Sequence, residues 1–251
     1  MTCSKISIIT PSFNSGSTIR DTIDSVLAQN YANIEYIIVD GASSDETVDI
    51  VNGYGNRIAK FISEKDGGIY NAMNKGISMS TGDIVGILNS DDFYADVSVL
   101  SDVAAAFNGG IVDSIYGDLD YVDWRETKKI VRKWRAGKHT WKSFRYGWHP
   151  PHPTFFVKRD LYDRLGNFRE DLKIAADYEL MLRFIYVNKI TMSYLPKVLV
   201  KMRDGGASSS GLAARKTTYI EDARGWSFNN LQPSIFALTM KRVRKLVQWL
   251  R

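Results

Sequence analysis

The stretch Gly86-Ile87-Leu88-Asn89-Ser90-Asp91-Asp92-Phe93 decides how the rest of the chain is read. The run Ile84-Val85-Gly86-Ile87-Leu88 has the length and branching of a buried parallel strand, and after Asn89 and Ser90 it gives way to two adjacent carboxylates. In an open α/β sheet, ligands bind in the crevice beyond the carboxyl ends of such strands. Two acids at that place suggest a divalent cation.

Working outward, the same pattern precedes this stretch three times. Residues 6–10 read as a short strand stopped by Pro11, and Ser12 to Gly16 turns into a helix carrying Ile19, Ile23, Val26 and Leu27, with Thr18 and Asp21 as a capping pair. A second strand, Ile34 to Val39, ends at Asp40-Gly41-Ala42-Ser43-Ser44-Asp45. A third, Ile58 to Ser63, runs into Glu64-Lys65-Asp66-Gly67-Gly68 and a helix lined by Ile69, Met73 and Ile77. Strands alternating with helices predict a parallel sheet, whose strand ends share one edge. Turns are rich in Asp, Asn, Gly and Ser for reasons of their own. Four such ends in succession, bearing Asn14, Asp40 with Asp45, Asp66 and Asp91, point to a site instead.

Beyond Phe93 a helix with Val97, Leu100, Val103, Ala104 and Phe107 leads to strand-like segments between Ile111 and Val122. Residues 124–152 hold four tryptophans and all three histidines among many lysines and arginines, with little periodicity, as in a cleft wall or mobile loop. After a strand at Thr154 to Val157 and a short helix closed by Gly166, a longer helix opens at Ala175, with Leu180, Phe184 and Val187 as its buried stripe and Asp177 in its first turn. Two strand-like runs, Met192 to Leu195 and Val198 to Met202, precede a Gly/Ser-rich segment, 204–211, expected to be a lid or a connector. The tail from Ser234 places Phe236, Met240, Val243, Val247 and Leu250 on one helical face and basic residues on the other.

Composition narrows the chemistry. The 251 residues are 44% hydrophobic and 24% charged, as expected of a globular protein with a full core. The single cysteine, Cys3, excludes an internal disulfide, a zinc finger and a cysteine redox pair, and a reducing, cytoplasmic setting is expected. The first residues lack the long apolar core of a signal peptide, and no run reaches the ~20 apolar residues of a membrane span. The net charge of +5 is concentrated at Lys241, Arg242, Arg244, Lys245 and Arg251, which suggests peripheral contact of residues 234–251 with an anionic membrane. There is no G-x-G-x-x-G after a strand, no Walker loop and no G-x-S-x-G elbow. Binding a diphosphate without an amide cradle needs another positive charge, which Mg²⁺ or Mn²⁺ held by Asn89-Ser90-Asp91-Asp92 would supply.

The ordered segments Ile9-Thr10-Pro11-Ser12-Phe13-Asn14, Val39 to Asp45, Asp66 to Gly76 and Leu88 to Asp92 resemble the motifs of the family 2 glycosyltransferases of GT-A fold. His152-Pro153-Thr154-Phe155-Phe156, Leu165-Gly166-Asn167-Phe168 and Ala176-Asp177-Tyr178-Glu179-Leu180 resemble that family's later blocks. The resemblance implies an α/β, Rossmann-like nucleotide-binding fold: a mixed, mostly parallel sheet flanked by helices, with a C-terminal helical tail. It implies a nucleotide-sugar-binding half at 1–118, an acceptor-binding and catalytic half at 119–225, and a basic amphipathic helix at 226–251.

By position, the resemblance gives Thr10, Pro11, Phe13, Asn14, Asp40 and Ser43 to the base and ribose, and Asp66, Asn74 and Lys75 to the nucleotide sugar. Asn89-Ser90-Asp91 takes the place of the family's D-x-D motif, with Asp91 as ligand of Mn²⁺ or Mg²⁺ and Asn89 and Ser90 facing the nucleoside. Asp177 takes the place of the general base, and the glutamate that usually precedes it is Ala176. His152, Trp148, Asp92, Glu179 and Arg183 are further candidates for donor or acceptor contacts. The activity implied is metal-dependent, inverting transfer from a nucleotide sugar, a UDP-hexose, to a hydroxyl of a saccharide or lipid-linked acceptor, with no nucleic acid partner. A catalytically silent nucleotide-sugar-binding scaffold is the alternative. A nucleotidyltransferase is a third reading, disfavoured by the absence of a basic Gly-rich triphosphate loop.

Overall fold

The structure, a computed structural model, describes residues 4–205 and 211–248. Most of the expected lid segment, and Trp249, Leu250 and Arg251 of the tail, lie outside the described residues. Strands β1 (Ile6–Ser12), β2 (Ile34–Asp40), β3 (Lys60–Ser63) and β4 (Ile84–Ile87) pair in parallel in the order β3-β2-β1-β4. Helices α1 (Ile19–Leu27), α2 (Thr47–Asn52) and α3 (Ile69–Met79) connect them. The apolar runs are continuous because the sheet is covered on both sides. One core packs Ile6, Ile8 and Ile38 against Ile19 and Ile23 of α1, and the other packs Ile9, Ile37 and Val39 against Met73 and Ile77 of α3.

The sheet continues through β8 (Phe156–Lys158), antiparallel to β4 and to β6 (Ser114–Val122). Next comes β9 (Met192–Arg203), parallel to β6, and the edge strand β5 (Phe93–Tyr94). The longest registers, β1 with β2 and β6 with β9, are parallel. Helices α4 (Val99–Asn108), α5 (Asp160–Leu165), α6 (Ala176–Met181), α7 (Gly211–Phe228) and α8 (Ile235–Val247) complete the chain. The divisions at 118/119 and 225/226 fall inside β6 and α7, so the donor half, the acceptor half and the tail share elements. No helix among the described residues is long and apolar enough to cross a membrane.

Several local expectations are corrected. Pro11 does not stop β1, which runs through it to Ser12. Ile9 and Pro11 face the β4 side, where the last bond runs from Leu88 N–H to the Ile9 carbonyl, so pairing with β4 ends at the missing donor while pairing with β2 continues to Ser12. The third strand starts at Lys60 rather than Ile58. Thr18 makes no side-chain cap, and Asp21 pairs instead with Arg203. Segment 124–152 is more ordered than its composition suggests, because β7 (Ile130–Trp134) pairs with β6 and a 3-10 turn spans Trp141–Tyr146.

The two runs around Pro196 are one strand, with register shifts between Gly117 and Leu119 of its partner. A π-helical turn, Leu182–Val187, continues α6 and rotates Val187 out of the stripe, leaving it 38% exposed while Leu180 and Phe184 stay buried. Helix α8 docks on a face different from its apolar stripe. Ala237, Leu238 and Lys241 are buried, while Ile235, Phe236 and Val243 are exposed.

Candidate active site

The carboxyl ends of β1 to β4 meet at one edge. At β1, Phe13 is 63% exposed, and its ring and the Asp66 carboxylate both lean over Gly41, where a Cβ would stand 2.8 Å from Asp66 Oδ2 and 3.3 Å from the ring. The result is a shallow cradle with an aromatic wall and a carboxylate acceptor. Asp40 does not open into it. The carboxylate is fully buried and accepts hydrogen bonds from Ser12 Oγ (3.1 Å), Ser43 N–H (2.8 Å) and Ser63 Oγ (2.7 Å), so it fixes the three strand ends. Asn14, at φ 48°, accepts from Ser44 N–H at 2.9 Å and donates its own N–H to Ser43 Oγ at 2.8 Å, which shapes the rim. Asn74 and Lys75 have partners within the protein: Asn74 bonds the Phe168 backbone in both directions and Glu170, and Lys75 pairs with Glu64 at 2.7 Å.

Beyond β4, Ser90 Oγ bonds Ser15 Oγ at 2.7 Å, tying this turn to β1's end. The two acids face different surroundings. Asp91 is partly exposed; burial pushes its carboxyl up and the Arg203 guanidinium opposes the shift. Arg203 is only 3% exposed, donates to the Asp91 carbonyl at 2.7 Å and pairs with Asp21, so it holds the turn. Asp92 is fully buried, and burial together with the Asp91 charge pushes its carboxyl well above the usual carboxylate range. Asp92 Oδ1 and Asn89 Oδ1 are buried and have no partner among the described residues. Orphaned oxygens beside a carboxylate suit a hard cation that would complete its shell with phosphate and water. Among the described residues, no cluster of three or more metal-ligating side chains exists without such help.

Asp177, in the first turn of α6, lies 107 residues after Tyr70 yet accepts its O–H at 3.5 Å. Tyr70 opens α3 four residues after Asp66, so one helix start joins the cradle to Asp177. Tyr70 stacks on Phe168 with ring centroids 5.7 Å apart, and His152 meets Phe168 edge-on at 5.6 Å. Burial lowers the proton affinity of His152, and the Asp177 charge opposes that shift. Burial and then the Asp177 charge hold the Tyr70 phenol protonated well beyond its ordinary range. A carboxylate held by a phenol O–H can accept a proton.

Glu221 of α7 sets the position of that helix start, because its carboxylate takes the backbone N–H groups of Lys173 (2.9 Å), Ile174 (2.9 Å) and Ala175 (3.0 Å). Glu179 and Arg183 face away from this group. They form a buried pair at 3.0 Å, and Arg183 donates on to the carbonyls of Leu165, Gly166 and Asn167. Trp148 is 3% exposed and donates to the Ala136 carbonyl at 3.0 Å. Sequence reasoning did not single out Tyr70, Arg203 or Glu221. Tyr70 alone carried a signal, its place just after the Gly67-Gly68 turn.

The model of the family described as Glycosyl transferase family 2 matches residues 7–166, which hold the whole cradle and the Asn89 to Asp92 turn. The chain belongs to glycosyl transferase family 2. This transferase is 34% identical over 186 residues to an uncharacterized glycosyltransferase of Mycobacterium tuberculosis, covering 71% of this chain and 68% of that one. It is 26% identical over 220 residues to a PGL/p-HBAD biosynthesis glycosyltransferase of Mycobacterium bovis, covering 86% and 83%. In fold, the transferase resembles S. aureus TarS 1-349 in complex with UDP-GlcNAc, with a TM-score of 0.72 at 23% identity over 98% of this chain and 71% of that one. It also resembles the mannosyltransferase PcManGT from Pyrobaculum calidifontis in complex with GDP-Man and Mn2+, with a TM-score of 0.67 at 18% identity, again over 98% and 71%. The transferase spans 41% of the longer TarS chain.

Proposed function

We propose that the protein transfers a hexose from a UDP-sugar, with inversion, to a hydroxyl of a saccharide or lipid-linked acceptor, with Asp177 as the general base. The observation that carries this reading is the bridge from Asp66 through the start of α3 to Asp177, which links the Asp177 carboxylate to the cradle over Gly41. The base would lie over Gly41 between Phe13 and Asp66, and Ser90 with Asn89 would face the ribose. Asp91, with the unpartnered oxygens of Asn89 and Asp92 behind it, would hold Mn²⁺ or Mg²⁺. Such a cation, when bound, neutralises charge on the departing diphosphate. Asp177 takes the acceptor hydroxyl's proton, a contribution of roughly 10²–10⁴-fold. Tyr70 positions that carboxylate through its hydrogen bond, and Phe168 backs the Tyr70 ring. The nucleotide sugars bound by TarS and PcManGT in their complexes support a donor of this class.

The test is donor turnover, read as UDP release across a panel of UDP-sugars. Asp177→Asn should abolish release while leaving UDP affinity within about twofold, and chelation should abolish release in the wild type. Wild-type-like turnover in Asp177→Asn would refute the assignment.

The same reading places the enzyme at an anionic membrane surface, on the inner face. The outward apolar residues of α8, Ile235, Phe236 and Val243, and Tyr146 at 6.1 Å from the Phe236 ring, support it. Flotation with anionic liposomes should fall with Phe236→Ser; undiminished flotation counts against it.

A further inference from the structure

Helix α8 turns its basic side inward. Lys241, Arg244, Lys245 and Gln248 recur at helical spacing and line a cavity of about 380 Å³, closed on the other side by the segment from Lys133 to His139 and by Trp148 and His149. Cations in the last turn of a helix are favoured by its dipole, but the dipole does not choose the face they occupy. Here that choice is costly. Lys241 and Lys245 are like charges four residues apart, and burial followed by the Lys241 charge pushes the Lys245 ammonium down to about 8.

Among the described residues, no carboxylate lines the cavity. Behind its wall, Asp222 neutralises Lys241, and Asp118 and Asp120 take Arg135. Among the described residues, Lys133, Arg244 and Lys245 make no ion pair, and the buried Gln248 Oε1 has no hydrogen-bond partner. A pocket of one sign with apolar walls concentrates anions. Trp134 and Trp148 are among the residues that line the cavity.

The cavity adjoins the site already described. Lys241 Nζ sits 3.7 Å from the centroid of the Tyr178 ring, next in sequence to Asp177, and the His149 ring lies 5.5 Å from the same ring. The charge of Asp177 acts on Lys245. The cradle for the nucleotide is built from the other end of the sheet edge and uses none of these residues.

We infer that this cavity is an acceptor subsite for a phosphate ester, in which Lys133, Arg244 and Lys245 bind the phosphate and Gln248 Oε1 accepts a hydrogen bond from a hydroxyl of the same acceptor. The identification of the ligand as acceptor rests on the transferase reading, and the binding itself does not. The shared chemistry is a phosphate mono- or diester, carried by a soluble saccharide or by a lipid headgroup.

Equilibrium binding to the full chain tests this without turnover. Glucose 6-phosphate should bind at least tenfold more tightly than glucose. Arg244→Gln with Lys245→Met should weaken that binding at least tenfold, and the exposed Lys133→Met, which carries little risk to folding, about threefold. The affinity for UDP should not change in either variant. Binding to phosphatidylglycerol vesicles over phosphatidylcholine vesicles, lost in the same variants, would support a lipid-borne ester. Equal affinity for both in wild type and variants, or displacement of glucose 6-phosphate by UDP, would overturn the inference. Failure of UDP release in the turnover assay would leave phosphate binding intact, so the two readings fail separately.

Discussion

Replacing Lys241 with methionine takes the ammonium away from a buried carboxylate. Lys241 Nζ lies 2.7 and 2.8 Å from the two oxygens of Asp222, and the residues are 8% and 5% exposed. Breaking a pair this buried costs about 3–5 kcal/mol, most of it the penalty of an uncompensated charge. Two features place Lys241→Met near the lower end. Methionine keeps contact with the Tyr178 ring, and Asp222, whose carboxyl burial already pushes up, can escape by taking a proton. A loss of about 3 kcal/mol at pH 7 corresponds to roughly 6–12 °C in Tm for a chain of this size. The deficit should shrink as pH falls, because burial raises the Asp222 carboxyl and its protonation removes the stranded charge. Lys241→Met with Asp222→Leu should recover to within about 1 kcal/mol of wild type, since two apolar groups need no partner. Urea denaturation followed by tryptophan fluorescence gives all three values. A Lys241→Met protein within 1 kcal/mol of wild type, or a double variant no better than the single one, would refute the reasoning.

Gly147→Ala should loosen α8. Gly147 sits at φ 69°, and a Cβ there would stand 2.2 Å from Lys241 N and 2.6 Å from the Ala237 carbonyl oxygen. Backbone cannot rotate away, so the loss should be about 2–5 kcal/mol, or protease cleavage should appear near residue 232. Unchanged stability and cleavage would count against the docking described. For Glu35, burial disfavours the charge, but hydrogen bonds from Ser7, Thr81 and Lys60 outweigh it and hold the carboxyl at about 2 against an ordinary 4.5. A depressed acid stabilises above its unfolded value, so about 3 kcal/mol is present above pH 4.5 and is lost as pH falls toward 2. Glu35→Gln should therefore fall below wild type at pH 7 and converge with it near pH 2; a pH-independent gap would contradict this.

Much of the strand-end edge was legible in the sequence because its signals are local. An apolar run, a turn and a helix are adjacent in the chain, and a parallel sheet then forces the strand ends together whatever the loops do. Phe13, Asp66 and Asn89 to Asp92 fall where that logic puts them. Roles within the edge were less legible. Asp40 and Asp66 end neighbouring strands in similar company, and only packing shows one fully enclosed by serines and the other open. The same holds for Asp91 and Asp92, adjacent residues on opposite sides of the same turn.

By itself the sequence determined the alternation of strands and helices and the edge on which their polar ends gather, since both follow from periodicity and chirality. Tertiary structure decided what meets Asp177. Tyr70 is 107 residues away, and Glu221 holds the backbone of residues 173 to 175 from 46 to 48 residues downstream. It also decided which side of α8 faces inward. Periodicity finds the apolar stripe of a helix but assumes that the stripe is what gets buried. Here Gly147 lets the helix backbone approach closely and Asp222 waits for Lys241, so the charged side goes in. That is a property of the surface receiving the helix, and the helix sequence does not contain it.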